Sequence, residues 1–370
     1  MKIYKILINT LIITAIFVII NSCLKEDPIK IPFKCLIPID IADGWEIAAP
    51  EDVKIDTEKL KEVYKYVHES DKLWQIRSLL VFKNNKLVAE SYMKDPNDIV
   101  TPAVVWSCTK QIVGVLTGIA IDNNYITSVH DPISKYLPQT QNTDKSLITI
   151  ENLLTMQSGI NYENAGIGGE TGILLRQKTS NSLDFILGLG IGSTSGNDFF
   201  YNGGDAQIIS AIIQRTTNRT MRDWAKEYLF NKLGISRLEW QNYKDGLTLG
   251  GFGILTTPRE LAKIAHLVMD YGMWENERIV SSEWITEMIT PRVVDKILED
   301  DVQYMGYHWW IYSERDIVMM RGSGGQRVII NKSKKLVIVI MSEPNTVGKS
   351  STNDDLEIYD WINSITEEDN

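Results

Sequence analysis

The sequence is poor in the residues that announce a disulfide framework, a metal site or a nucleic-acid surface. Cysteine occurs only at Cys23, Cys35 and Cys108. Cys108 lies in a long apolar run and Cys35 in a Pro-rich stretch, so no disulfide is expected between them. At Cys108 a buried structural thiol is favoured over a reactive one. The histidines, His68, His130, His266 and His308, are scattered, without paired cysteines or a Glu-x-x-His context. Neither a metal site nor a histidine triad is expected from them. There is no Gly-x-Ser-x-Gly nucleophile elbow. No Lys-Ser/Thr follows Gly188, Gly190 and Gly192, which argues for an ordinary loop rather than a phosphate cradle. Positive charge is short too: the net charge is −10 and the pI about 5.1, with no basic run carrying interleaved aromatics. Such a surface repels phosphate backbones, so nucleic acid is not an expected partner.

Apolar material is plentiful: 44% of the residues are hydrophobic, with 10 Trp and 15 Tyr, enough for a sizeable core. The first 22 residues read as an export signal. Lys2 and Lys5 precede an almost wholly apolar run from Ile6 to Ile20, too short for a comfortable membrane span. The run ends in Asn21-Ser22-Cys23, which resembles a bacterial lipoprotein junction and makes Cys23 the expected lipidated residue. Residues 23–39, with Lys25-Glu26-Asp27 and several prolines, are expected to be a tether. The expected location is therefore a bacterial membrane, reached through a lipid anchor, on the periplasmic side or the outer surface. A single folded domain is expected over 40–370.

Periodicity predicts a helix over 57–70 behind Asp56 and Thr57, with Leu60, Val63, Tyr64 and Val67 on one face. Two β-rich runs, Ser78–Phe82 and Leu87–Tyr92, flank Asn84-Asn85 and read as a hairpin. Further helices are expected at 107–122, 149–159, 181–188, 205–216, 220–232, 258–272, 281–290 and 353–366. Strands are expected at Tyr307–Tyr312, Ile317–Met320, Arg327–Asn331 and Leu336–Met341. Strands at both ends and helices between them predict an α+β fold. One antiparallel sheet is built from the two chain ends, flanked by helices, with a mostly helical insertion at about 123–250.

Ser-x-x-Lys occurs at Ser22–Lys25, Ser91–Lys94 and Ser107–Lys110. The first lies in the signal junction, and the second runs into Asp95-Pro96, where no helix can align the side chains. Ser107–Lys110 opens an apolar helix, so the amine can reach the hydroxyl one turn away. The helix N-terminus stabilises an oxyanion, and burial favours a neutral amine able to take a proton. The pair therefore reads as a nucleophile and its base.

Around it, Trp106-Ser107-Cys108-Thr109-Lys110, Asp131–Pro138, Leu153–Gly159, Gly250–Pro258 and Gly322-Ser323-Gly324-Gly325-Gln326 follow one another in an order that resembles the serine β-lactamase and penicillin-binding-protein superfamily. The likeness is closest to its class C-related branch of esterases and 6-aminohexanoate-dimer hydrolases. It implies ester or amide cleavage of a small-molecule or peptide-like acyl substrate through an acyl-enzyme, with no cofactor. The alternatives are a β-lactamase or D-Ala-D-Ala carboxypeptidase, and a non-catalytic binding protein on the same fold.

The resemblance implies a proton-relaying tyrosine at Tyr201. Gly203 stands where asparagine is usual, and Asn202, one place early, is the substitute substrate contact. It implies an oxyanion hole from the N–H groups of Ser107 and Ser323. Gly322 and Gly324 should let the backbone approach substrate, although Gly322 stands where a basic residue is usual. Trp106 is a further candidate for substrate contact; the Arg321 side chain either replaces the missing cation or points off the other face of its strand, the second being slightly favoured.

Overall fold

The computed structural model describes residues 37–162, 180–298, 301–343 and 352–367. Cys23, Cys35, the export segment and most of the tether lie outside them.

The helices are α1 (Thr57–Glu69), α2 (Cys108–Asp122), α3 (Ile150–Leu154), α4 (Ser182–Leu187), α5 (Gly203–Thr217), α6 (Met221–Ala225), α7 (Pro258–Met269), α8 (Ser282–Met288) and α9 (Thr352–Ser364). The first strands are β1 (Glu46–Ile47), β2 (Ile76–Lys83), β3 (Lys86–Tyr92) and β4 (Ala103–Val104). Then come β5 (Leu238–Trp240), β6 (Ile254–Thr256), β7 (Met273–Trp274), β8 (Glu277–Arg278) and β9 (Val293–Ile297). The last are β10 (Val302–Met305), β11 (Trp310–Tyr312), β12 (Ile317–Gly322), β13 (Gln326–Asn331) and β14 (Leu336–Ser342).

Nine strands form one sheet in the order β1-β3-β2-β14-β13-β12-β11-β10-β9, antiparallel except where β1 runs parallel to β3. The expected joining of the two chain ends occurs at β14, which pairs with β2 from Leu336–Lys83 to Ser342–Ile76. Strand β14 is an unbroken apolar run because both faces of the sheet are covered. Val337, Val339 and Met341 face a core shared with α2, α5 and α7. Ile338 and Ile340 face a second core under α1 and α9. Asn84 and Asn85 turn the β2–β3 hairpin with φ of 53° and 62°, the left-handed pair that asparagine tolerates.

Helix α2 is buried from Cys108 to Ala120, which is why its sequence is apolar nearly all round. Its Gly118 is a packing requirement: a Cβ there would lie 2.0 Å from Trp284 of α8. Trp284 Nε1 donates to the Gly114 carbonyl at 3.1 Å, so the indole both fills the helix groove and satisfies its own polar atom.

Several sequence expectations are corrected. Helix α3 stops at Leu154, short of Gly159, because the chain turns at Met156 with φ of 56°. Strand β11 begins at Trp310, since His308 at φ 63° breaks the extended run. Strands β9 and β10 extend the sheet beyond the four C-terminal strands expected, and β4, β5 and β6 form a small sheet beside the helical region.

The backbone of the exposed residue Ile39 is fastened to a buried ion pair. Arg259, 1% exposed, bonds Glu90 through Nε and Nη2 (2.9 and 2.6 Å), Asp43 through Nη1 (3.2 Å) and the Ile39 carbonyl through Nη2 (2.6 Å). The Ile39 N–H donates to Glu90 at 3.0 Å. A buried cation with this many acceptors is satisfied; removing one carboxylate would cost about 3–5 kcal/mol by leaving charge behind.

Candidate active site

The loop into α2 is held by the small sheet: the Val105 N–H donates to the Ile254 carbonyl at 3.0 Å. Trp106 then adopts φ of 48°, a left-handed conformation that a bulky residue rarely takes, and turns Ser107 onto the helix start. Ser107 is helical in conformation (φ −69°, ψ −7°), and its side chain makes no capping bond. A serine at a helix N-terminus usually spends its oxygen on a cap. Here the hydroxyl faces Lys110, whose Nζ lies 2.9 Å from Ser107 Oγ and 2.7 Å from the Gly251 carbonyl. Lys110 is 3% exposed, whereas Ser107 is half-buried, so the hydroxyl has access to solvent and the amine does not.

The Gly251 carbonyl is itself positioned. Gln207 of α5 donates to the Thr248 carbonyl and accepts from the Gly250 N–H, each at 2.8 Å. A Cβ at Gly250 would lie 2.1 Å from the Ala206 carbonyl, and one at Gly251 2.9 Å from the Gly203 carbonyl. Backbone therefore packs on backbone between α5 and the 250 loop, and Gly203 belongs to that contact.

Tyr201 joins the pair through its ring, whose centroid lies 5.0 Å from Lys110 Nζ. The segment is anchored by Asn202, and here the sequence expectation fails. Asn202 is buried and caps α5, accepting from Gly204 N (2.7 Å) and Asp205 N (3.3 Å). Its Nδ2 donates to the Ile160 carbonyl and to Asp205 Oδ1. All its polar capacity is spent inside, so Asn202 is a structural cap and not a substrate contact. Asp205 is fully buried with Ser158 Oγ 2.6 Å from Oδ1, and burial pushes its carboxyl well above the usual carboxylate range.

The third segment closes the site. A Cβ at Gly322 would lie 2.2 Å from the Val105 carbonyl, so the end of β12 touches the loop that carries Ser107. Gly324 and Gly325 turn the chain with φ of 77° and 91°, and Ser323 on this turn is half-buried. The turn is pinned from behind: Arg327 donates to the Gly322 carbonyl at 2.8 Å, and Ser342 Oγ to the Gly325 carbonyl at 3.1 Å. Arg321 lies on the face opposite α2, as expected, since Met320 faces α2 and Met319 the second core. Cys108 faces the Gln326 carbonyl at 3.8 Å, and burial pushes its thiol up to about 12.

Trp106 lines a cavity of about 440 Å³ with Val104, Tyr243, Lys244, Phe252 and Gly253; Trp106 directly precedes Ser107 and Phe252 directly follows Gly251 in the chain. His308 is a residue that sequence reasoning missed. It is fully buried, with Nδ1 3.1 Å from the Lys110 carbonyl and Nε2 3.1 Å from the Leu153 carbonyl. Burial and the nearby Lys110 lower it to about 4. Gln207 was missed as well; a glutamine on the apolar face of α5 is the signal that could have found it.

A sheet covered on both faces, with Ser-x-x-Lys opening its buried central helix, is the framework of a serine hydrolase. The chain belongs to the beta-lactamase family, whose model matches residues 77–359. It is similar to the 6-aminohexanoate-dimer hydrolase of Paenarthrobacter ureafaciens, 21% identical over 294 residues that make up 73% of this chain and 74% of that protein. Among solved structures it resembles EstCE1, a hydrolase with promiscuous acyltransferase activity (TM-score 0.67, 13% identity, 87% of this chain and 100% of that one). It also resembles a class C beta-lactamase (TM-score 0.65, 13% identity, 85% of this chain and 97% of that one).

Proposed function

We propose that the protein hydrolyses esters or uncharged amides through a covalent acyl-enzyme on Ser107. The observation that carries this reading is the 2.9 Å approach of a buried Lys110 amine to a hydroxyl that caps nothing. Ser107 Oγ attacks the substrate carbonyl carbon and gives its proton to the Lys110–Tyr201 pair. The N–H groups of Ser107 and Ser323 hold the developing oxyanion. The relayed proton then passes to the leaving oxygen or nitrogen, and water attacks the acyl-enzyme to restore Ser107. The acyl or leaving group extends into the cavity that Trp106 lines.

The substrate class follows from Gly322. A β-lactam or a D-Ala-D-Ala peptide carries a carboxylate, and a basic side chain at 322 has no space beneath Val105. Esters and neutral amides need no such partner. The similar fold of a hydrolase with promiscuous acyltransferase activity supports acyl transfer on this framework. The protein is further proposed to be exported and held at a membrane by lipid on Cys23. Release of Cys23→Ala from membranes is the expected result, and unchanged association would refute the anchor.

A fluorophosphonate probe tests the chemistry. Wild type should be labelled and Ser107→Ala should not, and p-nitrophenyl esters should turn over faster than nitrocefin. Folded wild type that resists the probe would sink the enzyme reading; nitrocefin turning over faster would sink the substrate preference.

A further inference from the structure

Beyond Tyr201 the site continues into a ladder of two stacked rings, each with a basic group against it. Tyr201 stacks on Trp310, with ring centroids 5.6 Å apart and planes inclined by 25°. The Arg321 guanidinium lies over the same indole, 4.6 Å from its centroid. Lys110 Nζ lies 5.0 Å from the Tyr201 centroid at the other end. The order is Lys110 amine, phenol, indole, guanidinium. Stacked aromatic pairs and cations over ring faces are attractive, and both gain when water is excluded.

We infer that Trp310 and Arg321 are positioning residues for the proton relay, holding the Tyr201 ring against Lys110. The inference rests on the reading of Tyr201 as that relay.

The far end of the ladder is built to stay in place. Arg321 Nη1 donates to Gln303 Oε1 at 2.9 Å and lies 3.5 Å from Tyr312 OH. Tyr312 OH also donates to Gln303 Oε1, and Gln303 Nε2 donates to Asp295. Gln303 and Tyr312 are register partners on β10 and β11, so three adjacent strands hold one guanidinium. Arg327, the register partner of Arg321 on β13, turns its Nη1 to the Gly322 and Gln326 carbonyls instead. The two cations thus take separate acceptors: one fixes the Ser323 turn and the other backs the tyrosine.

The choice of indole is informative. Trp310 is buried, and its Nε1 has no hydrogen-bond partner among the described residues. Phenylalanine would carry no orphan donor. What tryptophan offers here is the largest and most electron-rich ring system for the cation and the phenol ring that both lie against it.

The experiment is a set of double-mutant cycles on p-nitrophenyl ester turnover, using Tyr201→Phe, Trp310→Leu, Trp310→Phe and Arg321→Met, with thermal unfolding of each. Trp310→Leu should lower kcat about 10- to 30-fold with KM within about twofold of wild type. Trp310→Phe should restore most of that loss, and Arg321→Met should cost about fivefold. In the Tyr201→Phe background neither change should cost more than about twofold, because the ring they position no longer relays a proton. Losses of equal size in both backgrounds, or no loss from Trp310→Leu in folded protein, overturn the positioning role. Should Trp310→Leu not fold, Trp310→Phe and Arg321→Met complete the cycle. Full activity of Tyr201→Phe alone is a different failure: it removes the relay reading itself.

Discussion

Gly322 and the Val105 carbonyl are in such close apposition that a single added carbon would sit 2.2 Å from the oxygen. This contact couples the end of β12 to the loop that delivers Ser107. Gly322→Ala should therefore push the two apart and lower kcat/KM on the order of 100-fold, as misplacement of reacting groups does. Gly322→Lys should not confer nitrocefin turnover. Steady-state kinetics on both substrates check this, with unfolding curves to separate displacement from collapse.

Cys108 neighbours the nucleophile and yet is chemically quiet. With its thiol pushed up to about 12 by burial, it holds almost no thiolate at neutral pH. In native protein Cys108 itself should resist iodoacetamide over hours and activity should persist, whatever happens at Cys23 and Cys35, while Cys108→Ala should retain most turnover and lose about 1 kcal/mol of stability. Mass spectrometry of alkylated native protein, read beside activity, is the check.

Asp205 keeps its proton in the folded chain at pH values where the unfolded chain has released it. Wild type therefore loses stability as pH rises above the ordinary carboxylate range. Asp205→Asn keeps the oxygen that accepts from Ser158 and Asn202 and removes the titration. Its stability relative to wild type should improve as pH rises above the ordinary carboxylate range in denaturant titrations from pH 4 to pH 8. A constant difference across that range would refute a buried neutral acid.

His266 and His308 act in the opposite sense. Burial lowers both to about 4, while an unfolded histidine takes its proton near 6.5. Between those values the unfolded chain binds protons that the folded chain refuses, so stability falls as pH drops through that window. Each ring contributes a slope approaching about 1.4 kcal/mol per pH unit. His266→Gln should roughly halve the histidine part of the slope in urea unfolding between pH 7 and 5.

The sheet that joins the two chain ends was legible because its signals are local. Asn84-Asn85 marks a turn by its backbone preference, and the run Leu336–Met341 marks a strand covered on both faces. Ser107 and Lys110 were legible for the same reason, since one helical turn fixes their distance. Asn202 was misjudged because its environment is set by Ile160 and Asp205, one of which lies 42 residues away. His308 was missed because nothing local explains a left-handed histidine: its two carbonyl partners come from α2 and α3. Trp310 and Arg321 gain their meaning only when β11 and β12 lie side by side.

The Arg259 clamp also decides how the domain bears load. A pull on the chain ahead of residue 37 meets Ile39 first, where the N–H is gripped by Glu90 and the carbonyl by Arg259. Those bonds lead into β3, the second strand of the sheet, and into α7, so tension bypasses the two-residue edge strand β1. The domain can be tugged from its N-terminal side without the strain reaching the edge of the sheet first.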